Sequence, residues 1–419
     1  SKETSMGDST WDYDAIVIGA GAAGLAATHV LHDAGRSVIC LEAADRIGGR
    51  SYTDTSIFGV PFDLGGHWLH YADVNSFIPI GQDLGFDLYA EPGHIHLAGS
   101  LATDGVLDRV AGVSDELHRQ GDADNDMSMA EAFEPKDEVE RTALLLKALS
   151  AGRDLDEISM HDWHTGALED NNWFCRQGFG AIVTANAAGL PVKTNTPVTA
   201  VRRKADGVDV ETADGTLRAR HVVVTVSVGV LASEGITFDP PLDASKQSAL
   251  SLITMGVYNH AAMLFDVTTL PMAPDTWVSY PIEEISGSMA RGGGILCNIS
   301  GSGLCSFEHV GNFARELEDA GEEAAIDFAL TRMVDVFGAD IRKGFRKGHA
   351  TRWGSNRFTQ GAYSGTRPGG AGLRAALRSP HAEAVHFAGE AMNEGETVCI
   401  SGAHKEGLRA ANEVIDLLS

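Results

Sequence analysis

The sequence predicts an α/β chain in which a parallel-sheet unit alternates with an α+β unit of mixed sheet and helices. Three observations carry this expectation. A strand, a glycine loop, a helix and a second strand follow one another between Asp14 and Arg50. From about Ser76 to Trp173 the pattern turns helical and acidic, as in EVERTALLLKAL over residues 138–149. From Gln177 to Ser233 strand signals return.

The first block is the most informative. Ala15 to Ile18 is apolar with β-branched residues, so it reads as a buried parallel strand. Gly19, Gly21 and Gly24 follow in G-x-G-x-x-G spacing, and Leu25 to Leu31 has helical spacing that ends near Gly35 as a C-cap. Ser37 to Leu41 is the next strand, with Glu42 at its end. The whole is a βαβ unit of Rossmann-like type. Its first glycine makes the tight turn, its second lets backbone touch a pyrophosphate, and its third lets helix and strand pack closely. Free N–H groups at the helix start, around Ala22 and Ala23, suit phosphate. Glu42, with Ala43 beside it, is placed to accept hydrogen bonds from a ribose diol. The other glycine clusters, Gly292–Gly294 and Gly365–Gly370, lack a strand before and a helix after.

Further along, Val198–Arg202 and Gly207–Thr212 read as strands, Asp214-Gly215 as a hairpin turn, and His221–Val226 as a buried strand. Residues from about Gly256 to Ala350 are expected to form an antiparallel sheet with one helix near Glu322 to Val336. Glu316 to Asp319, with Glu322 and Glu323, read as solvated helix faces. Residues Ser1 to Trp11 are expected to be a flexible tail.

Composition excludes several classes. Acidic residues outnumber basic ones 58 to 32, a formal charge of −26, which argues against nucleic acid and would draw in cationic ligands besides aiding solubility. No apolar stretch reaches membrane-spanning length. The five cysteines include no C-x-x-C, so neither a disulfide framework nor a zinc site is expected, and His161, Asp162 and His164 have no metal-ligand spacing. Cysteine usage favours the cytoplasm slightly. Periplasmic or secreted placement stays open if a leader preceded Ser1.

Arg46-Ile47-Gly48-Gly49-Arg50 resembles the R-x-G-G-R of the flavin amine oxidase superfamily. Two glycines there let backbone approach a flat ring, and two arginines can meet phosphate charge. Gly178–Val183, Pro197–Val201, Asp214-Gly215 and Ala219–Leu231 resemble the blocks that form the adenosine side of the FAD pocket, where Val198 would pair with adenine through its backbone. Gly361-Ala362-Tyr363-Ser364, Phe387-Ala388-Gly389-Glu390 and Ser401-Gly402-Ala403 resemble the closing motifs. The likeness spans nearly the whole chain. It implies an FAD-binding domain of residues 12–75, 177–250 and 351–419, and a substrate domain of residues 76–176 and 251–350. It implies cofactor contacts from Gly65, Gly66, His67, Trp68, Trp353, Gly389, Glu390, Cys399, Ile400 and Ala403 in addition to the glycine loop, Glu42, Arg46, Gly49 and Arg50.

Such enzymes pass a hydride from the carbon bearing an amine to the flavin N5; the imine hydrolyses, and O2 is reduced to H2O2. The resemblance therefore implies a small amine substrate, cationic or polyamine-like in view of the charge. Asp63 to His70 is similar to a segment bordering the flavin, so His70 could tune amine protonation or orient substrate. Tyr363 matches one wall of an aromatic cage that holds the amine by its ring face. Ala362 replaces a cysteine that bonds FAD in monoamine oxidases, so FAD should be non-covalent. Two positions depart from the family. His260 stands where a lysine holds a water at N5, and it should be charged only in part near neutral pH; Cys399 stands where the second cage wall is often tyrosine. These departures keep open an amine dehydrogenase with another acceptor, or an FAD-binding redox or scaffold protein. An L-amino acid oxidase would need an arginine for the carboxylate, and none is assignable. A homodimer is compatible with the sequence.

Overall fold

The computed structural model describes residues 11–165, 171–282 and 285–419. The βαβ unit forms as expected: β1 (Tyr13–Ile18), α1 (Ala22–Asp33) and β2 (Val38–Leu41). The two strands run parallel, with Ile16 opposite Ile39 and Ile18 opposite Leu41. Ala15, Ile16 and Val17 are fully buried, as a strand covered on both faces must be.

On its other side β1 pairs in parallel with Gly215–Val224, which the Asp214-Gly215 turn joins to Gly207–Thr212. The eight-stranded sheet runs Thr237–Asp239, Val198–Lys204, Gly207–Thr212, Gly215–Val224, β1, β2, Val192–Lys193, and Val385–Phe387 adds in parallel to the end of Gly215–Val224. Against α1 lies the helix Ile400–Leu418. A Cβ on Gly407 would stand 2.0 Å from the Ala23 carbonyl, so glycine is what allows this close approach.

A second sheet of six strands runs Phe345–Ala350, Tyr258–Phe265, Leu304–Val310, Gly294–Cys297, Thr276–Ser279, Ile95–Leu97. It closes a core with the helices Val106–Gly121, Glu138–Ala151, Gly311–Ala320 and Glu322–Phe337 through residues such as Leu117, Leu144, Met263, Phe307 and Phe313.

Four expectations are corrected. The region near Glu322 holds two helices, Gly311–Ala320 and Glu322–Phe337, parted at Gly321, whose φ of 100° ends the first. Glu318 does not sit on a solvated face. It is buried and accepts from Asn259 Nδ2 at 3.0 Å, from the Gly354 and Ser355 amides at 3.1 and 2.7 Å, and from Ser355 Oγ. Residues Phe179–Asn186, read among strand signals, are a helix; the Asp63 carboxylate accepts from the Phe179 and Gly180 amides at its start. Trp11, counted with the tail, is anchored by its indole N–H on the Asp206 carbonyl at 2.7 Å, and the rest of the tail lies outside the described residues.

Candidate active site

Residues from both sheets line one cavity of about 660 Å³. At one end stand Gly19, Gly21, Ala22, Ala23, Glu42, Ala43 and Val198. The start of α1 has Gly21 as its N-cap with no side-chain cap, and a Cβ at Gly21 would meet nothing within 4 Å, so backbone N–H groups there face open space. Glu42 is buried and binds the loops on either side of it. Its Oε2 accepts from the Ala20 amide at 2.7 Å and its Oε1 from the Ala44 amide at 2.8 Å. A carboxylate has further lone pairs for a diol. Gly24 is off this wall: a Cβ there would lie 1.7 Å from the Gly19 carbonyl, so its role is helix–strand packing. The block Gly178–Val183, assigned by resemblance to the adenosine side, also lies off the wall, whereas Pro197, Val198, Thr225 and Val226 lie on it.

In the middle, Gly48 and Gly49 adopt φ of 96° and 56°, which the turn between the two arginines requires. Arg46 donates to the Ile47 and Gly49 carbonyls and stacks on Tyr52, 4.1 Å from the ring centroid. Arg50 donates to Glu390 Oε1 at 2.8 Å and to the Ala362 carbonyl at 3.0 Å. Burial alone would raise the Glu390 carboxyl; Arg50 and Ser364 outweigh it and hold it below the usual range. Gly65, Gly66, Gly389 and Trp353 continue the wall, with Trp353 Nε1 donating to the Leu64 carbonyl at 2.7 Å.

At the far end the lining is aromatic: Trp68, His70, Tyr258, Trp277 and Tyr363, with His67, Cys399, Ile400 and Ala403 beside them. Tyr363 donates to the Leu149 carbonyl at 3.0 Å, and its ring centroid is 6.0 Å from that of Tyr258. Burial first, and then the nearby Glu308 carboxylate, push the Tyr258 phenol well above its ordinary pKa. His70 stacks on Trp68 with Nδ1 2.8 Å from Asn172 Oδ1. Cys399 is buried and is the N-cap of the helix Ile400–Leu418. Glu91 brings a carboxylate to this end.

His260 differs from expectation. Its Nε2 lies 3.2 Å from the Gly65 carbonyl and its Nδ1 2.6 Å from Glu308 Oε2, an ion pair when the ring is protonated. Burial works against a charged ring, but Glu308 outweighs it and raises the pKa above the ordinary value. The Gly65 carbonyl and the Glu308 carboxylate are both acceptors, so they favour the charged ring more than the sequence alone suggests.

The sequence reading missed Tyr258, Glu308, Asn172, Trp277 and Glu91. Tyr258 had a signal: two residues before His260 on one strand, it shares its face. Glu308 faces His260 by sheet register, which the sequence does not announce.

A dinucleotide cradle opening into an aromatic pocket, in one cavity, defines a dinucleotide-dependent enzyme acting on a small organic substrate. Residues 114–415 match the family "Flavin containing amine oxidoreductase" and residues 17–78 the "NAD(P)-binding Rossmann-like domain", and the chain belongs to the flavin-containing amine oxidoreductases. It is 30% identical to Polyamine oxidase 4 of Oryza sativa subsp. japonica over 95% of this chain and 88% of the relative, and 29% identical to Polyamine oxidase 2 of Arabidopsis thaliana over 95% and 87%. Cyclohexylamine oxidase from Brevibacterium oxydans IH-35A shares the fold with a TM-score of 0.80 at 22% identity, covering 97% of this chain and 99% of its own. The protein is an FAD-dependent amine oxidoreductase.

Proposed function

We infer that the protein oxidises a cationic, polyamine-like primary or secondary amine, with FAD held non-covalently and O2 as acceptor. The observation that carries this reading is the far end of the cavity. Tyr258 and Tyr363 offer ring faces to an ammonium, and Glu91 offers a carboxylate within the same enclosure. The polyamine oxidases among its relatives support the substrate class.

FAD would lie with its diphosphate at the start of α1 and its adenosine ribose on Glu42, against Val198. Its ring would sit among Gly65, Gly66, Trp68, Trp353, Cys399 and Ala403. Bound there, it supplies the hydride acceptor. The chain's own residues then bind and orient. Tyr258 and Tyr363 hold the amine, and His70, fixed by Asn172, orients it or tunes its protonation. The aromatic walls exclude water. Ala362 has no atom that could bond the cofactor. The cofactor unit comprises residues 12–75, 177–250 and 351–419, and the amine-facing unit residues 76–176 and 251–350.

The test is a visible spectrum followed by anaerobic mixing with spermine, spermidine, small monoamines and amino acids, then air. The expected result is a flavin band released by acid, bleached by a polyamine and restored with H2O2. Bleaching only by amino acids, or restoration without H2O2, would overturn the substrate or the acceptor assignment respectively.

A further inference from the structure

Behind the wall of the large cavity lies a second chamber of about 190 Å³. Among the described residues, only His67 and His260 line both. Its rim is made by Val60, Pro61, Arg176, Ser300 and Ser302, all partly or fully exposed. Its inner end is made by Asp63, His67, His260, Ser306 and Glu308, all buried. The chamber therefore grades from solvent to a set of buried proton-carrying groups.

One of those groups has an atom with no hydrogen-bond partner in the described protein. His67 is 8% exposed, and while its Nδ1 is 2.8 Å from Asp63 Oδ2, its Nε2 has no hydrogen-bond partner. Glu308 is 1% exposed, and its Oε2 is paired with the His260 ring at 2.6 Å. A buried polar atom such as His67 Nε2 is costly unless water reaches it; the chamber walls include apolar Phe62, Leu296, Ile299 and Leu304, but its inner end is polar and its volume has room for several waters. Ser306 Oγ, 3.3 Å from His260 Nδ1, adds a hydroxyl to the path.

We propose that this chamber is a hydrated proton route to the His260–Glu308 pair, separate from the path the amine takes. What the proton is used for rests on the oxidase reading above. Reduction of O2 to H2O2 takes two electrons and two protons. The reduced anionic cofactor carries both electrons and one proton, so one more must come from elsewhere (FADH⁻ + O2 + H⁺ → FAD + H2O2). The His260 ring gives up that proton, and chamber water restores it, with Glu308 as the positioning residue. The groups facing the ring are Glu308 and Ser306 from one neighbouring strand, Asp63, the Gly65 carbonyl, the Tyr258 phenol and the nearby His309. His309 is kept neutral by burial, with a pKa of about 4, so it does not compete for the proton near neutral pH.

The test narrows the rim by Val60→Trp and, independently, by Ser302→Tyr, neither of which touches the large cavity. The first readout is exchange of the His260 ring N–H with water, by NMR of histidine-labelled, FAD-loaded protein without amine. The second is reoxidation in air after reduction by dithionite, which needs no amine. Roughly ten-fold slowing of both is expected, with anaerobic bleaching by amine unchanged. Unchanged ring exchange in folded, yellow variants overturns the proposal, as does equal slowing of bleaching and reoxidation. If wild-type protein reduced by dithionite fails to reoxidise in air while rim variants still slow exchange, the O2 assignment falls and the route stands. Glu308→Gln should move the fast acidic limb of the reoxidation pH profile to lower pH, and Glu308→Asp should restore it in part. A profile unmoved by Glu308→Gln would exclude Glu308 from the route.

Discussion

The two ends of the large cavity are built by different means. The Glu42 end is mostly backbone: glycines, amides at the start of α1, and one carboxylate that binds loops within two dozen residues of itself. The Tyr258 end is side chains brought from remote strands and helices, with Tyr363 tied to Leu149 and His260 to Glu308. A backbone cradle tolerates little change at few positions, because a Cβ in the wrong place has nowhere to go. A side-chain pocket can lose one wall and still hold its shape.

Substitutions should break that contrast in order of size. Gly24→Val drives a side chain into the Gly19 carbonyl and should cost about 4 kcal/mol or more, leaving no soluble yellow protein; normal expression with a normal melting temperature would contradict this. Glu42→Ala removes two charge-assisted bonds to the loops and the acceptor for a ribose, so FAD affinity measured by flavin fluorescence should fall by roughly 100-fold. Tyr363→Leu should leave the colour intact and weaken amine bleaching by roughly ten-fold through the lost ring face. Equal loss of colour in Tyr363→Leu would mean that the two ends are not separable.

The smallest effects are on pH. The folded pKa of His260 is raised, so its pairing stabilises fully below about 6.5 and is lost as pH rises through the raised value. Glu308→Gln should therefore lower the melting temperature most below pH 6.5, by an amount that shrinks as pH climbs. His221, His309 and His404 are depressed by burial to about 4, His221 also by the adjacent His386. Their stability is present above about 6.5 and lost as pH falls through 4, so urea midpoints should drop steadily across that window.

Legibility followed the same division. Gly19, Gly21, Glu42 and the two arginines lie in one short stretch, and their spacing alone implies a loop, a helix start and an acid in the right places. Gly24 was read both as a packing residue and with the cofactor contacts of the glycine loop; it packs against Gly19 and does not line the cavity. Tyr363, Cys399, His70 and His260 came from resemblance, and all four line the cavity. Glu308 was not legible because its meaning lies in cross-strand register with His260. For the same reason the charge of His260 was underestimated: a histidine's pKa is set by what faces it, and sequence does not display that. Glu318 went astray because an acidic run reads as surface, while this carboxylate is consumed by backbone amides of a distant loop.

The pairing of β1 with Gly215–Val224 also sets a timetable for synthesis. β1 leaves the ribosome about 200 residues ahead of its partner, a wait of about 10–40 s at ordinary elongation rates. During that interval only β2 is available to it, and the apolar run Ala15–Ile18 has one uncovered edge. The helix Ile400–Leu418, which seats Gly407 against Ala23 and has Cys399 and Ala403 at its start on the cavity wall, is made after all the elements described above. A complete cavity wall thus exists only once this helix has docked, and until then the apolar edges of the earlier strands are open to aggregation.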